Sequence, residues 1–168
     1  MGNYTFKVDS KGTIRLLSDN LYSSDKVFLR ELLQNAVDAI AARKKADTAC
    51  PESKITVTYR RKDNGAELIF ADNGIGLTKE EIHAFLSVIG QSSKRDDSVR
   101  SSYIGQFGIG LLSCFLVANE IKVITCSATE GKPYQWVGKS DGSYVITEPK
   151  KQIEAGTQVF LKLTGAKY

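Results

Sequence analysis

A chain of 168 residues that is 42% hydrophobic and 25% charged suits one soluble domain with its own core. The longest strongly apolar run, Leu111 to Ala118, is too short to span a bilayer, and "MGNYTFKV" lacks a signal-peptide apolar region, so a cytoplasmic address is expected and a membrane partner is not. The net charge of +4 is spread over short basic groups with no arginine–aromatic alternation or zinc module, which argues against a nucleic-acid partner.

Tyr4 to Val8 alternates as a strand does, and Ile14, Leu17 and Leu21 predict a helix within Thr13 to Leu21. "SSDK" at 23–26 offers N-cap residues for a helix from about Asp25 to Lys45. "SKITVTYRRKDNGAELIFAD" predicts a hairpin turning at Asn64-Gly65, its second strand ending at Asp72. Thr78 and Glu81 have capping-box spacing, so a helix is expected to open "TKEEIHAFLSVI". Residues 91–103, rich in Ser and charge without hydrophobic periodicity, read as a mobile loop. "IGQFGIG" precedes an apolar helix, Leu111 to Ala118, and four strand-like runs follow, which predict an antiparallel meander. The sum is an α+β fold, a two-layer α/β sandwich in which helices cover one face of a mostly antiparallel mixed sheet, with residues 1–168 as a single domain. Cys50, Cys114 and Cys126 are odd in number, lack zinc or disulfide spacing and fit a reducing compartment. The lone His83 is given no catalytic or metal role.

Four short segments carry candidate chemistry. In "LRELLQNAVDAI", at about 100° per residue with Glu31 as zero, Asn35 lies at about 40° and Asp38 at about −20°, while Leu29, Leu32, Leu33, Ala36 and Ile40 centre on about 150°. The three polar groups form a stripe without Lys or Arg, which fits either a solvated face or acceptors facing a cation and its waters. "ADNGIGL", Ala71 to Leu77, is a turn signal, or an acid at a strand end whose glycines let a planar ligand approach the backbone. "GQFGIG", Gly105 to Gly110, has neither Rossmann nor Walker spacing. Its glycines serve either tight packing or an anion cradle at a helix N-terminus. Gly156-Thr157, opening the last strand, says nothing alone.

Together and in this order the four segments resemble the GHKL ATPases, named for gyrase, heat-shock protein 90, histidine kinase and MutL, which share the Bergerat fold. "LYSSDKVFLRELLQNAVDAI", "DNGIGLTKEEI", "IGQFGIGLLSCFLVA" and "GTQVFLKL" look most like the N-terminal ATP-binding domain of heat-shock protein 90 chaperones. The resemblance implies ATP and ADP as ligands, Mg²⁺ as cofactor and slow ATP hydrolysis, with client proteins and a middle domain as partners. It also implies that dimerisation depends on further domains. By the same resemblance Glu31 is the general base for the attacking water, Asn35 ligates Mg²⁺, Asp38 lies near the base-side waters, and Asp72 accepts from the adenine amine. Gly76 and Leu77 line the base, Thr157 supports Asp72, and Gly105, Gln106, Phe107, Gly108, Ile109 and Gly110 hold the phosphates. Residues 91–103 are then the lid, with Lys94 reaching the phosphates.

The sequence departs from that pattern in three places. Phe85 stands where the family has an asparagine, Gly90 to Lys94 replaces an "AKSGT" segment, and the lid is shorter. These departures leave open a nucleotide-sensing module that does not hydrolyse, and a MutL- or topoisomerase-like ATPase is the remaining alternative.

Overall fold

The structure is a computed structural model that describes residues 2–5, 26–88 and 110–163. The expected helix at 13–21 and the loop at 91–103 lie outside the described residues.

Among the described residues, seven strands form one sheet: β1 (Gly2–Thr5), β2 (Ile55–Lys62), β3 (Gly65–Asp72), β4 (Ala118–Cys126), β5 (Pro133–Lys139), β6 (Ser143–Thr147) and β7 (Gly156–Leu163). Their spatial order is β1-β6-β5-β4-β7-β3-β2, and every described pairing is antiparallel. Inward positions alternate along the central strands: Leu68 and Phe70 on β3, Ile121 and Val123 on β4, Val159 and Leu161 on β7. Those side chains meet Phe28, Leu32 and Ala36 of α1 (Val27–Ala46), together with Leu111, Leu112 and Phe115. One face of the sheet is thus packed and the other half-exposed, as alternation requires.

The hairpin turns one residue earlier than expected: Lys62 pairs with Gly65, leaving Asp63 and Asn64 as the loop. Gly65 takes φ 131°, a twist at the first rung that a side chain would resist. The expected meander holds for β4, β5 and β6 only. β7 leaves it and enters between β4 and β3, pairing Val123 with Val159 and Asp72 with Thr157. Its Leu161 is fully buried, which a central position satisfies, whereas β6 has no fully buried residue with which to line a core.

Two helix expectations also change. The N-cap of α1 is Lys26, whose side chain makes no cap hydrogen bond, while residues 23–25 lie outside the described residues; the Leu29 N–H donates to the Lys26 carbonyl at 3.1 Å. The apolar run after Gly110 is helical only to Leu112, tightens into a 3₁₀ turn over Ser113–Leu116, and yields Ala118 to β4. Ser113 Oγ donates back to the Gly110 carbonyl, and the Val117 N–H reaches Cys114 O at 3.1 Å, so the ladder has shifted to three-residue spacing. The capping box behaves as read: at the start of α2 (Lys79–Val88) the Thr78 N–H donates to Glu81 Oε2 at 2.9 Å, and the Glu81 N–H to Thr78 Oγ1 at 3.2 Å.

The buried residues of α1 are Phe28, Leu32, Asn35, Ala36 and Ala39. On the scale used above they centre on about 80°, not 150°. Leu33 and Val37, 45% and 52% exposed, lie outside. The polar stripe therefore borders the inward face of α1 instead of opposing it. Asn35 is within that face.

Candidate functional site

The inward face of α1 meets the chain at Gly110. A Cβ added there would lie 3.1 Å from Glu31 Oε2, 3.2 Å from Glu31 Cβ and 3.4 Å from Asn35 Nδ2, so the glycine backbone sits close against both side chains. Glu31 is a quarter exposed and pairs through Oε1 with Arg30 at 3.2 Å, which leaves Oε2 on the Gly110 side. Asn35 is 6% exposed, and its Nδ2 is buried with no hydrogen-bond partner. A buried donor left unsatisfied costs about 1–3 kcal/mol, which an acceptor placed beside this amide would recover. Asp38 is half-buried, and its Oδ1 accepts from Gln34 Nε2 at 3.0 Å.

Further along α1 the helix packs on the turn that follows β3. The Ile75 N–H donates to the Ala39 carbonyl at 3.0 Å, and Arg43 Nη1 donates to Asn73 O at 2.7 Å and to Ala155 O at 3.3 Å. From Glu31 to Ala39 is about 12 Å along the axis at 1.5 Å per residue. One helix thus borders both the glycine end and the acid end of the candidate site. At the acid end, Asp72 accepts the Gly74 N–H at 2.8 Å. Burial pushes its carboxyl up to about 7, and backbone hydrogen bonds from Gly74 and Thr157 only partly offset this.

A buried hydroxyl pair lies beside Asp72. Thr157, the cross-strand partner of Asp72, has its Oγ1 3.0 Å from Thr125 Oγ1. Thr125 is 1% exposed, accepts the Leu77 N–H at 2.9 Å and reaches the Gly156 carbonyl at 3.2 Å. Gly76 has φ 66°, and a Cβ on it would overlap the Cys126 carbonyl, so this turn lies directly on β4. Leu77 itself is core, with its N–H already used.

Glu31, Asn35 and Gly110 are thus brought together, as are Asp72, Gly76, Leu77 and Thr157, whereas among the described residues no hydrogen bond joins Asp38 to either group. Lys94, Gly105, Gln106, Phe107, Gly108 and Ile109 lie outside the described residues, as does the side chain of Phe85. Sequence reasoning missed Arg43 and Thr125. Both leave a signal: Arg43 falls at about 120° on the inward face of α1, and Thr125 continues the inward alternation of Ile121 and Val123 on β4. Among the described residues no cluster of three or more His, Cys, Asp or Glu could hold a metal by itself. Cys114 and Cys126 are buried free thiols, both pushed up by burial, which makes them unreactive.

The family described as "Histidine kinase-, DNA gyrase B-, and HSP90-like ATPase" matches residues 22–163. This chain belongs to that ATPase family. The matched segment includes the α1 stripe, the Asp72 turn and β7. Among its relatives, the chaperone protein HtpG of Orientia tsutsugamushi is 32% identical over 177 residues, covering 95% of this chain and 28% of that protein. The mitochondrial TNF receptor-associated protein 1 homolog of Dictyostelium discoideum is 36% identical, covering 98% and 25%. HtpG of Halalkalibacterium halodurans is 35% identical, covering 94% and 27%. The chain spans about a quarter of the length of these curated relatives. No helix among the described residues is long and apolar enough to cross a membrane.

Proposed function

We propose that this chain is the ATP-binding and slowly hydrolysing domain of a heat-shock protein 90-type chaperone, its middle domain and client-binding parts lying in other segments of a longer protein. The observation that carries the reading is that α1 borders both an unsatisfied buried amide, its own Asn35, and the turn after β3 whose half-buried acid is Asp72. Asp72 accepts from the exocyclic amine of adenine; guanine presents a carbonyl at that edge and is disfavoured. Thr157, held by Thr125, supports Asp72, and Gly76 keeps the backbone low enough for the ring. The triphosphate runs toward Gly110 and the glycine segment that precedes it.

Mg²⁺ fits this donor set. The ion favours oxygen ligands, keeps several waters and is bound through a few protein groups plus phosphate oxygens; the unpartnered Asn35 Nδ2 is a donor and suits a phosphate oxygen, while the oxygen of the same amide suits the ion. Asn35 would hold it through its side-chain oxygen; once bound it neutralises the phosphate charge that develops during transfer. Glu31 orients the attacking water and takes its proton at Oε2, the oxygen not engaged by Arg30. The Arg30 pair is exposed and worth little, so it does not block this role. With no arginine from another domain to stabilise the transition state, turnover by this chain alone is slow, the deficit being on the order of 10³–10⁵. A reducing compartment suits the free cysteines.

Phosphate release by wild type and Glu31→Ala, with ATP binding measured alongside, tests the assignment. Expected is equal ATP affinity with turnover at least 10²-fold lower in Glu31→Ala. Equal turnover removes Glu31 as the base; binding without turnover in either protein favours a nucleotide sensor over an ATPase.

A further inference from the structure

We propose that Arg43 is the positioning residue for base recognition: its guanidinium ties the exit of β3 to the entry of β7 and so fixes the spacing of Asp72 and Thr157. This inference rests on the adenine reading above.

The β3–β7 ladder ends at the rung formed by Asp72 and Thr157. Asn73 follows Asp72, Ala155 comes just before β7, and beyond that rung the two chains no longer bond to each other. Arg43 Nη1 donates to both of their carbonyls, at 2.7 Å and 3.3 Å, and so takes the place of the missing rung. Its other neighbours keep it there. The Ala39 carbonyl, one turn earlier on α1, holds Ile75 on the far side of the same turn. A Cβ on Gly156 would overlap the Asp72 carbonyl, so the two strand ends are already in close contact and their separation is sensitive to small shifts.

The arrangement has a cost that a purely superficial arginine would avoid. Arg43 Nε is buried with no hydrogen-bond partner, so the guanidinium gives up hydration to make these two bonds. Asn73 is held from its other side as well, its Oδ1 accepting the Lys54 N–H at 2.8 Å and its Nδ2 donating to Glu52 O at 2.7 Å. With Asn73 clamped on both sides, Asp72 has little freedom to drift. Arg43 touches no substrate in this account; it acts through the acid and the threonine. The signature is therefore a loss confined to the base, not to the phosphates.

Equilibrium titrations of wild type, Arg43→Met and Arg43→Lys with ATP, GTP and inorganic tripolyphosphate, each with Mg²⁺, test this. In Arg43→Met, ATP affinity should fall by about 10-fold or more while GTP and tripolyphosphate stay within about 2-fold, because misplacing a recognition group by even 1 Å is costly. Arg43→Lys keeps the charge and a donor, so its ATP-to-GTP ratio should lie between those of wild type and Arg43→Met. An unchanged ratio in Arg43→Met, or parallel losses of ATP and tripolyphosphate, overturns the inference. Should Arg43→Met fail to fold by circular dichroism, Arg43→Lys decides alone: a lowered ratio with intact tripolyphosphate binding supports the role, and a wild-type ratio overturns it. A wild type that does not prefer ATP over GTP overturns the adenine reading and this inference together.

Discussion

Asp72 carries a proton in the free domain at pH values where most carboxylates are ionised, because burial raises its carboxyl from 3.8 to about 7. Between those two values the folded state holds more protons than the unfolded one, so this group's contribution to stability is complete below about pH 3.8 and is lost as pH rises to about 7. Asp72→Asn removes the penalty: its melting temperature relative to wild type should be higher at pH 8 than at pH 5, by a few degrees, and an equal difference at both pH values would contradict the cause given. An amine donor from adenine favours the carboxylate, so ATP binding to wild type should tighten as pH rises from 5.5 to 8, with protons released near pH 6. Calorimetry in buffers of different ionisation enthalpy reads that release directly. Asp72 was legible at the end of a β-strand followed by Asn-Gly, but its titration was not. Burial of a single carboxyl depends on what β4, β7 and α1, all distant in sequence, place around it.

At the scale of elements, α1 does two things with one inward face: Phe28, Leu32 and Ala36 join the core while Glu31 and Asn35 face Gly110. Periodicity alone put the core stripe about 70° from its true centre, because Leu33 looks like a core residue yet is exposed, and Asn35 looks polar yet is buried. A helix flanking a polar cleft hides polar groups, and a hydrophobicity scale cannot anticipate that. Gly110→Ala tests the close approach. The added methyl would press on Glu31 and Asn35 at 3.1–3.4 Å, so ATP affinity should fall several-fold while the melting temperature stays within a few degrees. Equal affinity would mean the helix gives way without consequence. The capping box at Thr78 and Glu81 was fully legible, since its two hydrogen bonds span three residues. Thr78→Ala should cost about 1 kcal/mol in a denaturant melt.

Across the whole molecule, the sheet order was the least legible feature. Local alternation marks β7 as a strand, but nothing in eight residues says that it enters between β4 and β3. That placement builds the cleft: it sets Thr157 opposite Asp72 and beside Thr125, and brings Ala155 within reach of Arg43. Leu161 at its middle is fully buried, and Leu161→Ala should cost about 2–5 kcal/mol in stability through the transfer and cavity terms. The central claim is that adenine is read by Asp72 at this strand end. Isothermal titration of Mg²⁺-ATP into wild type and Asp72→Asn at pH 8 tests it most directly. Replacing a charge-assisted hydrogen bond worth about 1.5–3 kcal/mol should weaken binding by about 10- to 100-fold. Unchanged ATP affinity in Asp72→Asn would contradict the claim.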